Sequence, residues 1–418
     1  MKSRWIQFAS AVTAMIMIAN LQYAWTLFVK PMQADHKDWK LPAIQWAFTL
    51  FIFLETWITP VEGWIIDRLG PRIFLTVGGV LVGLGWTGMG YATTLQQLYM
   101  LYGMAGVGAA FIYSGSISTA LKWFPDKRGL VSGLITAGFG AGSAIFIPLI
   151  SHLIATASYR TAFIYTGIVQ GILIVVAAQV LHNPGPDFKV SSVAKKLPSP
   201  RLRRTTRQFT SIEMLQAPQF YLLYITFVLI SVGGLMLTAQ SGPVADTFKI
   251  SATALTAALA TSRLANGAGR IFWGWISDRI GREMAMFIPY ILQAFSLIAV
   301  LVLGRISGTW FTVTLFAVYF IWGSMFSLFP AIIGDYFGAD NAASNYGFLY
   351  TAKGVASILA GGVAGFFFTK FGNWNAVFYG SAALALVAGF LVLVVRAMPL
   401  PSRQEAETAD SMGLAEAG

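Results

Sequence analysis

An all-α membrane protein of twelve transmembrane helices, arranged as two pseudo-symmetric six-helix bundles, is the fold the sequence predicts. Three observations carry this. Of 418 residues, 56% are hydrophobic and only 11% are charged, against about 25% charged in ordinary soluble domains. The apolar residues fall into runs, most of them near the roughly 20 residues a helix needs to cross a bilayer. Finally, the pattern Gly-x-x-x-Asp-Arg-x-Gly occurs twice, from Gly63 to Gly70 and from Gly274 to Gly281, at a separation of 211 residues (278 minus 67).

Taken in order, the spans are expected near 4–29, 41–66, 73–92, 96–121, 130–151, 161–181, 218–240, 251–276, 284–304, 308–333, 345–369 and 374–395. The first lies close to the N-terminus. Its apolar run is too long for a signal peptide and has no small-residue cleavage site, so it is expected to be retained. These boundaries divide the chain into an N-terminal bundle over 1–181, a linker over 182–214, a C-terminal bundle over 215–396 and a polar tail over 397–418 whose composition reads as disordered. The linker carries Lys189, Lys195, Lys196, Arg201, Arg203, Arg204 and Arg207. A solvated cytoplasmic connection is its plain reading, and a contact with anionic lipid is the alternative.

The net charge of +11 raises nucleic acid as a partner, but the distribution of the charge points to membrane topology. Of the 28 Lys and Arg residues, 18 fall in the N-terminus, the even-numbered connections and the tail; seven fall in the odd-numbered connections and three inside spans. The positive-inside rule then places both termini in the cytoplasm, of a bacterial inner membrane by expectation. There is no cysteine, which excludes disulfides, a thiol nucleophile and cysteine metal sites. His36, His152 and His182 fall in loops or at helix ends, so no metal site and no cofactor is expected.

Each copy of the repeated pattern closes a span at the cytoplasmic side. Glycine permits the tight turn. The charges of Asp67, Arg68 and Arg72, and of Asp278 and Arg279, can pair with neighbouring helix ends. A clasp at equivalent places in two halves reads as a gate that makes and breaks as the halves rock. On this doubled loop the sequence resembles the major facilitator superfamily over roughly residues 4–396. Trp123-Phe-Pro-Asp-Lys-Arg-Gly129 after span four is similar to a loop of its carboxylate-carrying branches.

Charges inside spans are costly and default to functional residues. Arg263, Arg270, Lys353 and Glu55 lie well inside; Glu62 lies near a cytoplasmic end. Arg270 precedes Asp278 by eight residues and Lys353 follows Asn345 by eight, so each sits ~12 Å from its helix end. Two cations at similar depth call for an anion between them. Arginine can grip a carboxylate with two parallel hydrogen bonds, and lysine adds a compact charge. The plain alternative pairs the cations with Glu55, and one carboxylate cannot neutralise three. Arg263 is read as a partner of Glu55, an entry guide or a further anion ligand. Gln22, Tyr23, Tyr113, Trp322, Phe326 and Tyr350 are candidate cavity walls, since aromatic groups exclude water and amides and hydroxyls orient a ligand.

These residues carry a closer resemblance, to the oxalate/formate antiporter family: Gln22-Tyr23-x-Trp25, Asn266-x-x-x-Arg270, Trp322-Gly323 and Asn345-Tyr346-Gly347 leading to Lys353. The resemblance implies that Arg270 and Lys353 bind the anion and that the tyrosines line its cavity. Phe139, Phe326 and Tyr350 stand where the oxalate-type pattern favours Tyr, Tyr and Trp, which implies a more apolar pocket. The chain also resembles the monocarboxylate transporter family through Phe28-Val-Lys30 and Gln96-Gln97-Leu-Tyr99. That family pairs Asp with Arg in its eighth helix; here Asn266 takes the acid's place, and an amide cannot take up a proton. Glu55 is then the remaining deep acid, a proton site or a charge partner.

Gly138-Phe-Gly140-Ala-Gly142 resembles part of a dinucleotide loop but lies in an apolar span, where small residues serve helix packing. No Gly-x-x-x-x-Gly-Lys-Ser/Thr loop for ATP occurs. The expectation is a non-enzymatic secondary carrier of small carboxylate anions, monomeric in the lipid bilayer, favoured as an exchanger. A proton-coupled symporter is the alternative.

Overall fold

A computed structural model of the chain describes residues 2–124, 128–185, 202–338 and 340–401; the side chains of residues 2, 3, 63, 64, 67, 128 and 129 lie outside that description. Among the described residues every regular element is a helix, and the helices trace twelve crossings. Span one is α1 (Lys2–Tyr23) followed by α2 (Trp25–Asp35), joined at Ala24. Span two is α3 (Leu41–Trp57) with the beginning of α4 (Thr59–Met89), and α4 continues as span three after an interruption at Gly70, where φ is 73°. Three long helices, α5 (Leu95–Trp123), α6 (Arg128–Thr156) and α7 (Tyr159–Val180), complete the first bundle.

A single turn, α8 (Ser211–Leu215), leads into the second bundle. This contains α9 (Pro218–Thr247), α10 (Ala252–Ile280) and α11 (Arg282–Val302), then α12 (Gly308–Trp322) and α13 (Met325–Phe337) as one broken span. Span eleven is α14 (Ala342–Ile358), a π-helical turn over Leu359–Val363 and α15 (Ala364–Phe371); α16 (Asn375–Ala397) is the last. With twelve crossings the first and last described residues lie on one face, called here the termini face.

Eleven crossings are long and apolar enough to span a membrane. The twelfth, α10, has the length, with 29 residues or ~44 Å of helix, but Arg263, Asn266 and Arg270 lower its hydropathy. Span one runs to Asp35 rather than ending near residue 29. The apolar pattern stops before Lys30, whereas the helix continues through Lys30 and Pro31 to Asp35.

At the far face, α5, α7, α10 and α12 each begin with a hydroxyl cap, from Thr94, Ser158, Ser251 and Ser307, which satisfies amide groups that the helix itself leaves open. Within the membrane there is no hydrophobic force between helices, so close approach supplies the packing. A Cβ on Gly83 of α4 would lie 3.1 Å from the Cα of Gly171 on α7, and one on Gly85 would lie 2.6 Å from a carbonyl of α5. Large apolar side chains such as Leu84, Ile145, Ile172 and Phe295 point outward, as lipid requires.

Towards the far face the two halves meet through neutral hydrogen bonds. Gln45 donates to the carbonyl of Ala239 at 2.9 Å and to Gln240 at 3.0 Å, Thr49 donates to the carbonyl of Ser357 at 3.0 Å, and the amide of Gly242 donates to Thr26 at 2.5 Å. At the rim, Lys30 forms an ion pair with Asp246.

On the termini face the second bundle carries a charge cluster. Arg282 bridges Asp278 at 2.7 Å and Asp335 at 2.8 Å. The end of the linker joins it: Arg204 reaches Asp335 at 2.7 Å, and Arg203 donates to the carbonyls of Arg396 and Met398. These two residues of the expected solvated linker are therefore docked, because Asp335 and the last carbonyls of α16 offer acceptors that water would otherwise fill. Lys189, Lys195, Lys196 and Arg201 lie outside the described residues, as does the tail from residue 402 onward.

Candidate functional site

On α10 the residues Arg263, Asn266, Gly267 and Arg270 are all buried. Their spacing of three, one and three places them along one stripe of the helix, which faces the first bundle. Glycines let this stripe approach. A Cβ on Gly140 of α6 would meet Asn266 Oδ1 at 2.7 Å and Arg270 Nε at 2.9 Å, so this member of the glycine-rich run makes room for the arginine.

Arg270 is held from both halves. Its Nε and NH2 donate to Asn266 Oδ1 at 3.2 and 3.1 Å, and its NH1 donates to the carbonyl of Thr136 on α6 at 2.6 Å. NH2 also approaches the Tyr23 hydroxyl at 3.5 Å, and the guanidinium lies 4.3 Å from the Phe326 ring centre. Among the described residues no carboxylate pairs with Arg270.

Lys353 on α14 is fully buried, and its Nζ donates to Gln22 at 2.9 Å, Glu55 at 2.9 Å and the Tyr350 hydroxyl at 3.1 Å. Between the two cations stands an aromatic group. Phe139 packs against Tyr23 and Tyr113, with ring centres 5.4 and 5.5 Å apart, and Tyr113 stacks on Tyr350 across the two halves at 5.5 Å. Trp322 meets Phe326 edge-on at 5.0 Å. Gln22, Tyr23, Tyr113, Phe139, Asn266, Arg270, Trp322, Phe326, Tyr350 and Lys353 are thus all buried in one central region.

One alternative is corrected: Glu55 does not pair with Arg263. It pairs with Lys353, as the plain alternative for that cation had it, because α3 and α14 face one another across the bundle interface while Arg263 points towards α1 and α12. Lys30, a candidate coupling or charge partner from the sequence, has a charge partner in Asp246 at the exposed rim. Arg263 itself is fully buried, over the rings of Tyr319 at 3.8 Å and Tyr23 at 4.6 Å.

The repeated loop shows its turn in both halves: Gly70 and Gly281 have φ of 73° and 91°, values that glycine alone adopts without strain. Arg279 lies 3.6 Å from the Trp275 ring centre, and Arg72 donates to Gln179 at 2.9 Å. Arg68 is partnered, and Gly274 faces Ser327. The side chains of Gly63 and Asp67 lie outside the described residues, as does the stretch from Pro125 to Lys127 after span four.

Sequence reasoning did not single out Tyr319, although it lies one turn before Trp322 on the same helix. Nor did it single out Thr136 as an acceptor for Arg270, since a backbone carbonyl has no side-chain signature. Several buried polar atoms near the centre have no hydrogen-bond partner among the described residues: Gln22 Nε2, Glu55 Oε1, Trp322 Nε1, the Tyr346 hydroxyl and all three guanidinium nitrogens of Arg263. Most are donors. Of the four charged side chains in this centre, Arg263, Arg270 and Lys353 are cations and Glu55 is an acid, a formal surplus of two positive charges (three minus one). A buried, donor-rich, positively charged region between two helical bundles is suited to an anion, not to a metal, and among the described residues no metal-ligating cluster occurs.

Two six-helix bundles enclosing a polar centre in the membrane define a carrier rather than an enzyme. A model of the Major Facilitator Superfamily matches residues 8–361 and again 222–416. The chain is 38% identical to the oxalate:formate antiporter of Oxalobacter formigenes, over 94% of this chain and 91% of that protein. It is 25% identical to monocarboxylate transporter 12 of Xenopus laevis, over 80% and 74%, and 24% identical to apicoplast pyruvate carrier 1 of Toxoplasma gondii, over 72% and 65%. The chain belongs to the Major Facilitator Superfamily and, within it, to the family of the oxalate:formate antiporter.

Proposed function

We propose that this protein carries small organic carboxylates, oxalate- or formate-like anions or short monocarboxylates, across a bacterial inner membrane by alternating access. Both termini are then cytoplasmic, in line with the charge asymmetry of the connections, and the monomer is the working unit. The observation that carries the proposal is the buried centre itself, where Arg270 has no acid partner among the described residues and unmet donors outnumber unmet acceptors. The names of the relatives support the substrate class. Arg270 binds the carboxylate, Lys353 adds charge, Gln22, Tyr23, Asn266 and Trp322 orient it, and Phe139, Phe326, Tyr113 and Tyr350 exclude water.

Exchange is the favoured mode. Even with Glu55 paired to Lys353, an empty centre keeps two surplus positive charges, and closing a low-dielectric cavity around them is costly. An anion removes that cost in each direction.

One observation favours proton symport as a second reading. Glu55 lies 2.9 Å from Lys353, so protonating Glu55 would free the lysine for substrate and couple the two ligands. Uptake of labelled oxalate, formate, lactate and pyruvate into proteoliposomes separates the two. Exchange requires internal carboxylate and ignores an imposed pH gradient. Symport proceeds without internal anion and follows the gradient. No flux of any carboxylate under either condition overturns both.

A further inference from the structure

We propose that Arg263 forms a second carboxylate subsite, placed beyond Arg270 towards the far face. The proposal rests on the reading that Arg270 holds a first carboxylate.

Arg263 has no exposed surface, and none of its three guanidinium nitrogens has a hydrogen-bond partner among the described residues. No carboxylate pairs with it, because Glu55 is engaged by Lys353. What surrounds the guanidinium is aromatic: the ring of Tyr319 at 3.8 Å and the ring of Tyr23 at 4.6 Å. Tyr319 is itself fixed, with its hydroxyl 3.0 Å from Thr238 and 3.4 Å from the carbonyl of Gly234. Ring faces attract a cation but accept none of the five N–H donors an arginine carries. A buried arginine cannot shed its charge either. A planar carboxylate, binding through two parallel hydrogen bonds, supplies both the charge and the acceptors that the rings do not.

The position of this arginine indicates which carboxylate. Arg263 and Arg270 lie on one stripe of α10, seven residues or ~10 Å apart along the axis. Tyr23 joins them, with its ring against Arg263 and its hydroxyl 3.5 Å from Arg270. A separation of that order is bridged by a diacid with a few methylenes between its carboxylates, not by two directly bonded ones. Two monocarboxylates bound one at each arginine would meet the same chemistry. In both cases the two bound negative charges equal the surplus of the centre.

Isothermal titration calorimetry of the purified protein tests this with succinate against butyrate and glutarate against valerate, pairs that match in carbon number. In the parent protein the dicarboxylate binds more tightly than its monocarboxylate by roughly ten- to hundredfold, the size expected for hydrogen bonds to a charged group. Arg263→Gln brings that ratio close to one, and Arg263→Lys retains part of it. One succinate per protein assigns the subsite to a diacid; two butyrates per protein assign it to a second monoanion. A ratio near one in the parent protein with a single site for either ligand type, or a ratio and stoichiometry unchanged by Arg263→Gln, overturns the subsite while leaving the carboxylate carrier intact. Should Arg263→Gln not fold, the parent series and Arg263→Lys decide: a lysine variant with the ratio of the parent and single-site stoichiometry for both ligand types overturns the subsite. If neither ligand type binds the parent, the subsite falls; oxalate or formate binding in the same titration then shows that the carrier reading stands, and absence of that binding as well overturns both.

Discussion

The Nζ of Lys353 on α14 lies 2.9 Å from Oε2 of Glu55 on α3, with both side chains buried, so the two bundles share one ion pair at their centre. Removing one partner leaves the other charged and out of water, which costs about 3–5 kcal/mol in buried pairs, whereas removing both together costs far less. Thermal melts in detergent should therefore show Glu55→Gln and Lys353→Gln each lowering the midpoint by several degrees, and the double variant recovering most of the loss. Additive losses would show that the pair is not a unit.

Arg270 has partners that a lysine cannot reach together: Asn266, the carbonyl of Thr136, the Tyr23 hydroxyl and the Phe326 ring. Arg270→Lys keeps the charge but loses the fork. Exchange measured by counterflow should fall at least roughly a hundredfold, since a buried charge-assisted network is being lost. Near-parental flux would remove Arg270 from the binding site.

Asn266 Oδ1 lies 3.1 and 3.2 Å from two nitrogens of Arg270. Asn266→Asp would place a carboxylate in direct competition with substrate. The expected outcome is weaker binding at neutral pH and recovery as pH falls, because the introduced acid loses its charge on protonation and releases the arginine. The sign is the useful part: affinity should rise towards acid in the variant more than in the parent. An identical pH profile in both would show that position 266 does not control Arg270.

Lys30 and Asp246 pair at the far rim, where their side chains are 70% and 57% exposed. An exposed pair contributes only about 0–1 kcal/mol and is screened by salt. Lys30→Glu should raise the labelling rate of a single cysteine placed at Ser241 by at most about fivefold, and adding Asp246→Lys should reverse this. The chain has no cysteine of its own, so such a reporter is unambiguous. No change in either variant would place the seal wholly in the Gln45, Gln240, Thr49 and Ser357 layer.

Gly140 and Gly133 lie on the same helix but differ in what faces them. A Cβ at Gly140 would meet Asn266 and Arg270 within 3.0 Å, while one at Gly133 would meet nothing within 4 Å. Gly140→Ala should depress carboxylate exchange by an order of magnitude or more, since a displaced site residue is costly, and Gly133→Ala should leave it near the parental rate. Equal effects would mean that helix flexibility, not site shape, explains the glycine.

Much of this could be read from the sequence because each signal is local. Apolar run length gives a span, and a doubled glycine loop gives a doubled turn, seen at Gly70 and Gly281. The burial of Arg263, Arg270, Lys353 and Glu55 could be read because each falls well inside an apolar run. The sequence could not give the partner of each charge. Glu55 and Lys353 are 298 positions apart, and whether Glu55 meets Lys353 or Arg263 depends on how helices face each other, which hydropathy does not encode. The hydrogen-bonded contact towards the far face was hidden for a related reason: Gln45 and Gln240 are ordinary amides until two bundles bring them together.

The bond from Arg270 to the carbonyl of Thr136 joins a residue of one bundle to the backbone of the other. In the proposed cycle an arriving anion therefore competes with a part of the protein as well as with water. The opposite bundle acts as a rival ligand tethered to the same chain, within reach of the arginine in this conformation. It sets a ceiling on how tightly any cargo can be held, and it takes over the arginine as the cargo leaves. A carrier must let go as readily as it binds, and here the means of release is the backbone of its other half.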